Sequence, residues 1–214
     1  MHGLNIFIHV TAGILAMLVG VVSYASAKGQ RAHTIAGRVF LSLMAGVIIT
    51  ATLGVLFFRD RPFLTLITIQ SFYMAASGYR ALWYKTRGPG WPDLMLALFL
   101  LCAGCVFIYS LQGANIVWHG SVVFYLLLVL FIVGVYDVLR ISKVVKLPHA
   151  WLPEHFLKMT SAYTALLSAG LGTLMSGLGP ISQILPAALG NLLLIGVIWR
   201  FRHTFRRKQP SSTT

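Results

Sequence analysis

Seven runs of apolar residues, each about as long as a helix that crosses a bilayer, follow one another along this chain with short polar breaks between them. A spanning helix takes about 20 residues, so within 214 residues these runs leave almost nothing outside lipid. Only 10% of the residues are charged and 57% are apolar, whereas a water-soluble domain carries about a quarter charged residues. There is too little polar surface to cover a globule in water. The expected fold is all-α, a polytopic membrane helical bundle forming one domain over residues 1–201. A short tail over 202–214, basic and then Ser/Thr-rich, follows it. No room remains for a separate soluble catalytic domain.

The spans are expected near Asn5–Ser26, Thr34–Phe58, Phe63–Tyr84, Trp91–Leu111, Val117–Leu139, His155–Leu178 and Ser182–Arg200. Their breaks are punctuated by Gly and Pro, at Gly88-Pro89-Gly90 and Gly179-Pro180 above all. One frees the backbone; the other removes a donor and clashes with the preceding turn. Orientation follows from the cations, because Lys and Arg collect on the cytoplasmic side. With seven spans, 15 of the 17 cations fall on one side, among them Lys28, Arg31, Arg87, Arg140, Lys143 and Arg206, and only Arg59 and Arg61 on the other. This predicts an outside N-terminus and a cytoplasmic C-terminus, in a bacterial inner membrane. Trp83, Trp91, Trp118, Trp151 and Trp199 fall at or beside predicted helix ends, where interfacial Trp belongs. Ala25-Ser26-Ala27 is similar to a signal-peptide cleavage site, but no Lys or Arg precedes the apolar run, so the first helix is expected to be retained. The net charge of +13 is then a record of topology. It points to anionic lipid headgroups and not to nucleic acid, since no nucleic-acid-binding module accompanies it.

Ionisable residues inside spans are the informative ones, each costing about 2.5–3.5 kcal/mol at the bilayer centre. Arg38, Arg80, Asp93 and Asp137 all lie about one turn inside predicted cytoplasmic helix ends, with Arg140 and Glu154 nearby. Unpaired charges there are costly. Pairing of Arg38 with Asp137 and of Arg80 with Asp93 is expected, either as a clamp between helix ends or as a polar switch.

The histidines suggest a second chemistry. His9 and His119 lie near outer helix ends, and His33 and His155 near inner ones. Such a layout is compatible with two bis-histidine haem b sites stacked across the membrane, since haem iron takes axial His. Gly13 and Gly37 follow His9 and His33 at i+4, leaving space beside each imidazole for a flat ligand or a neighbouring helix. His155 has Met159 at the same offset, so His33, His155 and Met159 form a candidate copper site. Helix-end His residues also simply hydrogen-bond at the interface, and small residues such as Ser168, Gly172 and Ser176 serve helix packing. His2, His149 and His203 are expected in loops or the tail. Cys102 and Cys105, a CxxC in mid-helix, are expected to act as small hydrophobes. Tyr73, Tyr79 and Tyr84 with Arg80 are compatible with a quinone headgroup or a membrane redox partner. No phosphate loop, zinc-protease motif or nucleophile elbow is present.

Taken in order, His9, the His33…Gly37-Arg38-Val39-Phe40 element, Tyr73, Gly78-Tyr79-Arg80, Asp93, Asp137 with Arg140, His155…Met159, Pro186 and Gly190 resemble a bacterial family of seven-helix integral-membrane proteins of unknown function. The resemblance spans nearly the whole chain and implies a polar cytoplasmic mouth without supplying a reaction. The two-level histidine layout is similar to that of cytochrome b561-type electron carriers, by analogy only. The leading expectation is haem-dependent transmembrane electron transfer. Its rivals are a small proton-coupled transporter switched at Arg38–Asp137 and a non-catalytic membrane assembly subunit.

Overall fold

The computed structural model describes residues 1–58, 62–111, 120–145, 150–179, 181–190, 192 and 196. Among them all regular structure is helical: α1 (His2–Ala25), α2 (Arg31–Phe57), α3 (Pro62–Arg80), α4 (Trp91–Ser110), α5 (Gly120–Ile141), α6 (Trp151–Leu174) and α7 (Ile181–Gly190). A 3-10 turn over Ala81–Lys85 extends α3. Arg59, Asp60, Arg61, Trp118, His119, Lys146, His149 and everything from 197 onward, including His203, lie outside the described residues.

Among the described residues four helices, α1, α2, α4 and α5, are long and apolar enough to cross a membrane. Their outward faces carry exposed Leu, Ile, Val and Phe, such as Leu18, Leu53, Val106 and Ile132, as helices facing lipid do. The helices α3 and α6 are of similar length but more polar, and they sit deeper. Ten of the 19 residues of α3 are buried, against three of 24 in α1. Accordingly α3 packs against α2, α4, α5 and α6, whereas α1 packs against α2 and α6. The apolar outer helices shield the central ones, which is what allows α3 and α6 to carry polar side chains at depth.

Local chemistry explains the helix ends. Pro62 opens α3 and Pro92 lies in the first turn of α4, where a missing N–H costs nothing. Pro153 does the same for α6. That is why α6 starts at Trp151, ahead of the expected His155, and takes Glu154 into its first turn. At the end of α1, Lys28 Nζ donates to the carbonyls of Ser23 and Tyr24 at 3.2 and 2.8 Å, satisfying groups that the helix cannot. Partial burial there lowers the Lys28 pKa. Gly29 turns the chain with φ +80, a left-handed conformation that glycine adopts without strain.

Reciprocal notches set the helix contacts. A Cβ on Gly104 of α4 would lie 2.8 Å from Leu130 of α5, and one on Gly134 of α5 would lie 2.6 Å from Leu101 of α4. Between α6 and α7 the same arrangement recurs, with Gly172 under Gln183 and Gly190 against Thr164. Small residues thus let these backbones approach, the usual packing device in lipid. The pair α5 and α6 is different: among the described residues no Cα of one lies within 8 Å of a Cα of the other. Side chains bridge that gap.

Candidate functional site: a buried ionic ladder between α5 and α6

Consecutive turns of α5 present Asp137 and Arg140, and consecutive turns of α6 present Glu154 and Lys158. The helices run antiparallel, so the residues meet as two rungs. In the outer rung Arg140 Nε donates to Glu154 Oε1 at 2.9 Å, and the Tyr136 hydroxyl donates to the same oxygen at 3.0 Å. One turn deeper, Lys158 Nζ lies 3.0 Å from Asp137 Oδ1 and 2.8 Å from Oδ2. The Tyr73 hydroxyl of α3 donates to Asp137 Oδ2. Lys158 is 2%, Asp137 4% and Tyr73 1% exposed, so the deeper rung is sealed from solvent. Gly78 brings α3 close at this level: a Cβ there would lie 3.0 Å from Lys158 Cβ. Removal of two charges from water is costly, and their attraction offsets it only with good geometry and further hydrogen bonds. The two contacts from Lys158 and the one from Tyr73 supply these.

A third pair closes the neighbouring corner. Arg80 grips Asp93 in bidentate fashion, Nε to Oδ1 at 2.5 Å and Nη2 to Oδ2 at 3.2 Å. Asp93 also accepts the Gly90 N–H at 2.8 Å, so it caps α4 while it pairs. The guanidinium lies 5.1 Å from the Trp83 ring centroid. Every acidic side chain among the described residues is therefore buried and paired with a cation.

Arg80–Asp93 pairs as the sequence leads one to expect, but Arg38–Asp137 does not. Arg38 is exposed on α2, and Lys158 holds Asp137 instead. The physical reason is register: α6 crosses α5 so that Lys158 comes level with Asp137, while α2 packs against α1 and α3 and, among the described residues, not against α5.

The histidines are held individually. His155 Nδ1 donates to the Gly78 carbonyl at 2.8 Å, and His33 Nδ1 donates to the Ser23 carbonyl at 3.0 Å. A carbonyl only accepts, so each Nδ1 carries a proton, and in the neutral ring Nε2 then keeps its lone pair. His9 Nδ1 lies 2.9 Å from Thr50 Oγ1, whose own proton goes to the Gly46 or Val47 carbonyl. Gly13 faces Val47 and Gly37 faces Ser23 at ordinary contact distance, so the neighbouring helix adjoins each of these glycines. Met159 Sδ packs against Gly78. Among the described residues no group of three or more His, Cys, Asp or Glu is placed to hold a metal ion. Cys102 and Cys105 are free thiols on an exposed face of α4.

Sequence reasoning passed over Lys158 as one more cytoplasmic cation and Tyr73 as a candidate quinone contact. The available signal was the spacing of Glu154, Lys158, Ser161, Ser168 and Gly172, which places them all on one face of α6. No protein-family model, curated protein or solved structure matches the chain.

Proposed function

We propose that this protein is a small proton-coupled membrane carrier in which Asp137, held between Lys158 and Tyr73, is the proton-binding group. The observation that carries this reading is the Lys158–Asp137 pair itself, with both partners at least nine-tenths buried between two helices whose backbones do not touch. Ionisable residues inside a membrane bundle characteristically mark ion or substrate pathways. Protonation of Asp137 neutralises its carboxylate, leaves Lys158 without a counter-ion and weakens the bridge between α5 and α6. A proton arriving at one atom thereby favours separation of two helices, which is the coupling that a carrier requires. The switch expected at Arg38–Asp137 becomes Lys158–Asp137 in this account.

The topology that accompanies the reading is seven spans in a bacterial inner membrane, with the N-terminus outside. The ladder then lies near the cytoplasmic mouth, and the basic tail rests on anionic headgroups. In liposomes under an imposed potassium-diffusion potential, an internal pH dye should report proton entry that rises with added transported solute. The probes are a panel of small amino acids, sugars and organic acids. Asp137→Asn should abolish the solute-dependent entry. Equal rates for wild type, Asp137→Asn and empty liposomes across the panel would sink the proposal.

A second reading, haem- or copper-dependent electron transfer, draws on the Nδ1-to-carbonyl bonds of His33 and His155. Such bonds fix a ligand imidazole with Nε2 free for a metal. His33 and His155 would hold the group, with Met159 adjacent, and the group would supply one-electron chemistry. An absorption spectrum and metal analysis of protein from haem- and copper-replete cells decide it; a colourless, metal-free preparation ends it.

A further inference from the structure

One helical turn beyond the Lys158–Asp137 rung, α3, α5, α6 and α7 line a partly open cavity of about 40 Å³. Its apolar wall comes from residues such as Phe63, Val122 and Leu126, and its polar wall from Gln70, Ser161, Thr164, Ser168 and Gln183. Among the described residues nothing bonds Gln70 Oε1, Ser168 Oγ or Gln183 Oε1, although all three atoms are buried. Gln70 is 7% and Ser168 2% exposed. A buried polar atom without a partner costs about 1–3 kcal/mol, so three around one cavity call for an occupant. The occupant must donate hydrogen bonds to the two glutamine oxygens, which only accept, while the Ser168 hydroxyl either donates or accepts. It should be uncharged, because no ionised side chain lines the cavity. The space matches about three or four waters at 10–15 Å³ each, and is too small for a metabolite.

We propose that this cavity binds a cluster of water molecules that donates to Gln70 and Gln183, hydrogen-bonds Ser168 and forms the inner limb of a proton path to Asp137. Gln70 precedes Tyr73 by one turn of α3, and Ser161 follows Lys158 by one turn of α6, so the cluster begins where the ion pair ends. Measured along α6 from Glu154 to Ser168, ladder and cavity together extend about 21 Å at 1.5 Å per residue, against a hydrocarbon core of about 30 Å. The polar line thus covers roughly two thirds of a membrane crossing. Its role in proton movement rests on the carrier reading; the hydration itself does not.

Radiolytic hydroxyl-radical labelling of the full-length protein in lipid nanodiscs, with ¹⁸O-water as the probe, tests this directly. Water bound beside a side chain labels it even when bulk solvent cannot reach it. Phe63 and Phe107 are matched in burial at 7% and 6%, as are Leu126 and Leu166 at 7% and 6%, but only Phe63 and Leu126 line the cavity. We expect Phe63 and Leu126 to label several-fold faster than Phe107 and Leu166. The Gln70→Leu, Ser168→Ala double variant should bring them down to the control rate. Equal rates in the wild-type protein overturn the proposal, whether or not the double variant folds. Suppression of labelling by added sodium or potassium would identify a cation site and overturn it equally. Labelling without proton transport would instead defeat the carrier reading and leave the hydrated cavity standing.

Discussion

Replacement of Lys158 by Met keeps the length and apolar stem of the side chain and deletes only its charge. At the 2.8 Å contact with Asp137, and with an effective dielectric of about 20, the Coulomb attraction is about 6 kcal/mol. Desolvation of the two ions offsets much of it. What the variant leaves behind decides the outcome, namely a carboxylate buried with Tyr73 as its one remaining strong partner. Loss of one member of a buried pair costs about 3–5 kcal/mol, and Lys158→Met should lose that much stability against denaturant in detergent micelles. The double variant Asp137→Leu, Lys158→Met removes both charges in similar volume, and such replacements are about neutral or stabilising. It should therefore recover most of the loss while remaining inactive in the proton-entry assay. A double variant as unstable as the single one would refute this account of the pair's energetics. A double variant that is stable and fully active would make the pair a clamp and not a switch.

The other expectations are smaller in scope. Arg38→Gln should change stability by less than about 0.5 kcal/mol, as exposed substitutions do, and should leave proton entry intact, because Lys158 and not Arg38 holds Asp137. Arg80→Lys keeps the charge but loses the two-pronged grip on Asp93; with Arg80 about a fifth exposed at 22%, the cost should be about 1 kcal/mol in the same denaturation assay. Gly134→Leu pushes side-chain atoms into Leu101 and should destabilise by about 1–3 kcal/mol through overpacking, whereas Gly3→Ala, which meets nothing within 4 Å, should have no measurable effect. Single cysteines placed at Lys28 and Lys143 in a Cys102→Ala, Cys105→Ala background should react with an impermeant maleimide only after the cytoplasmic face is opened; reaction from the outside would reverse the proposed orientation.

Much of the helical architecture was legible because its punctuation is local. The Gly88-Pro89-Gly90 break and the length of the apolar runs place α1 to α4 within a few residues of their ends in the structure. The Arg80–Asp93 pair was legible for a related reason: only a short turn separates α3 from α4, so their facing ends must meet. Partners of Asp137 were not legible. Whether Arg38 or Lys158 reaches it depends on how α2 and α6 are rotated and set in register against α5, which neither the apolar runs nor the chain breaks record. The α6 spacing announced a polar face but not its depth, and one sequence does not distinguish a cytoplasmic cation at a helix end from one drawn into the bundle. Gly13 and Gly37 were ambiguous between a ligand slot and helix packing; a Cβ at either would meet one side-chain atom of the neighbouring helix, at 4.0 and 3.8 Å. Gln70 and Gln183 gave no signal, because an isolated glutamine in an apolar run carries no pattern until neighbouring helices close round it.

The central claim is that Asp137 exchanges a proton within the folded bundle. Infrared difference spectroscopy of the protein in lipid films, recorded across pH jumps, observes that event at the group itself. We expect a carboxylic-acid carbonyl band that rises as pH falls, disappears in Asp137→Asn and shifts in Tyr73→Phe through loss of the hydrogen bond that Asp137 accepts. A band unchanged by Asp137→Asn, or no protonation of Asp137 at any pH at which the protein stays folded, would contradict it.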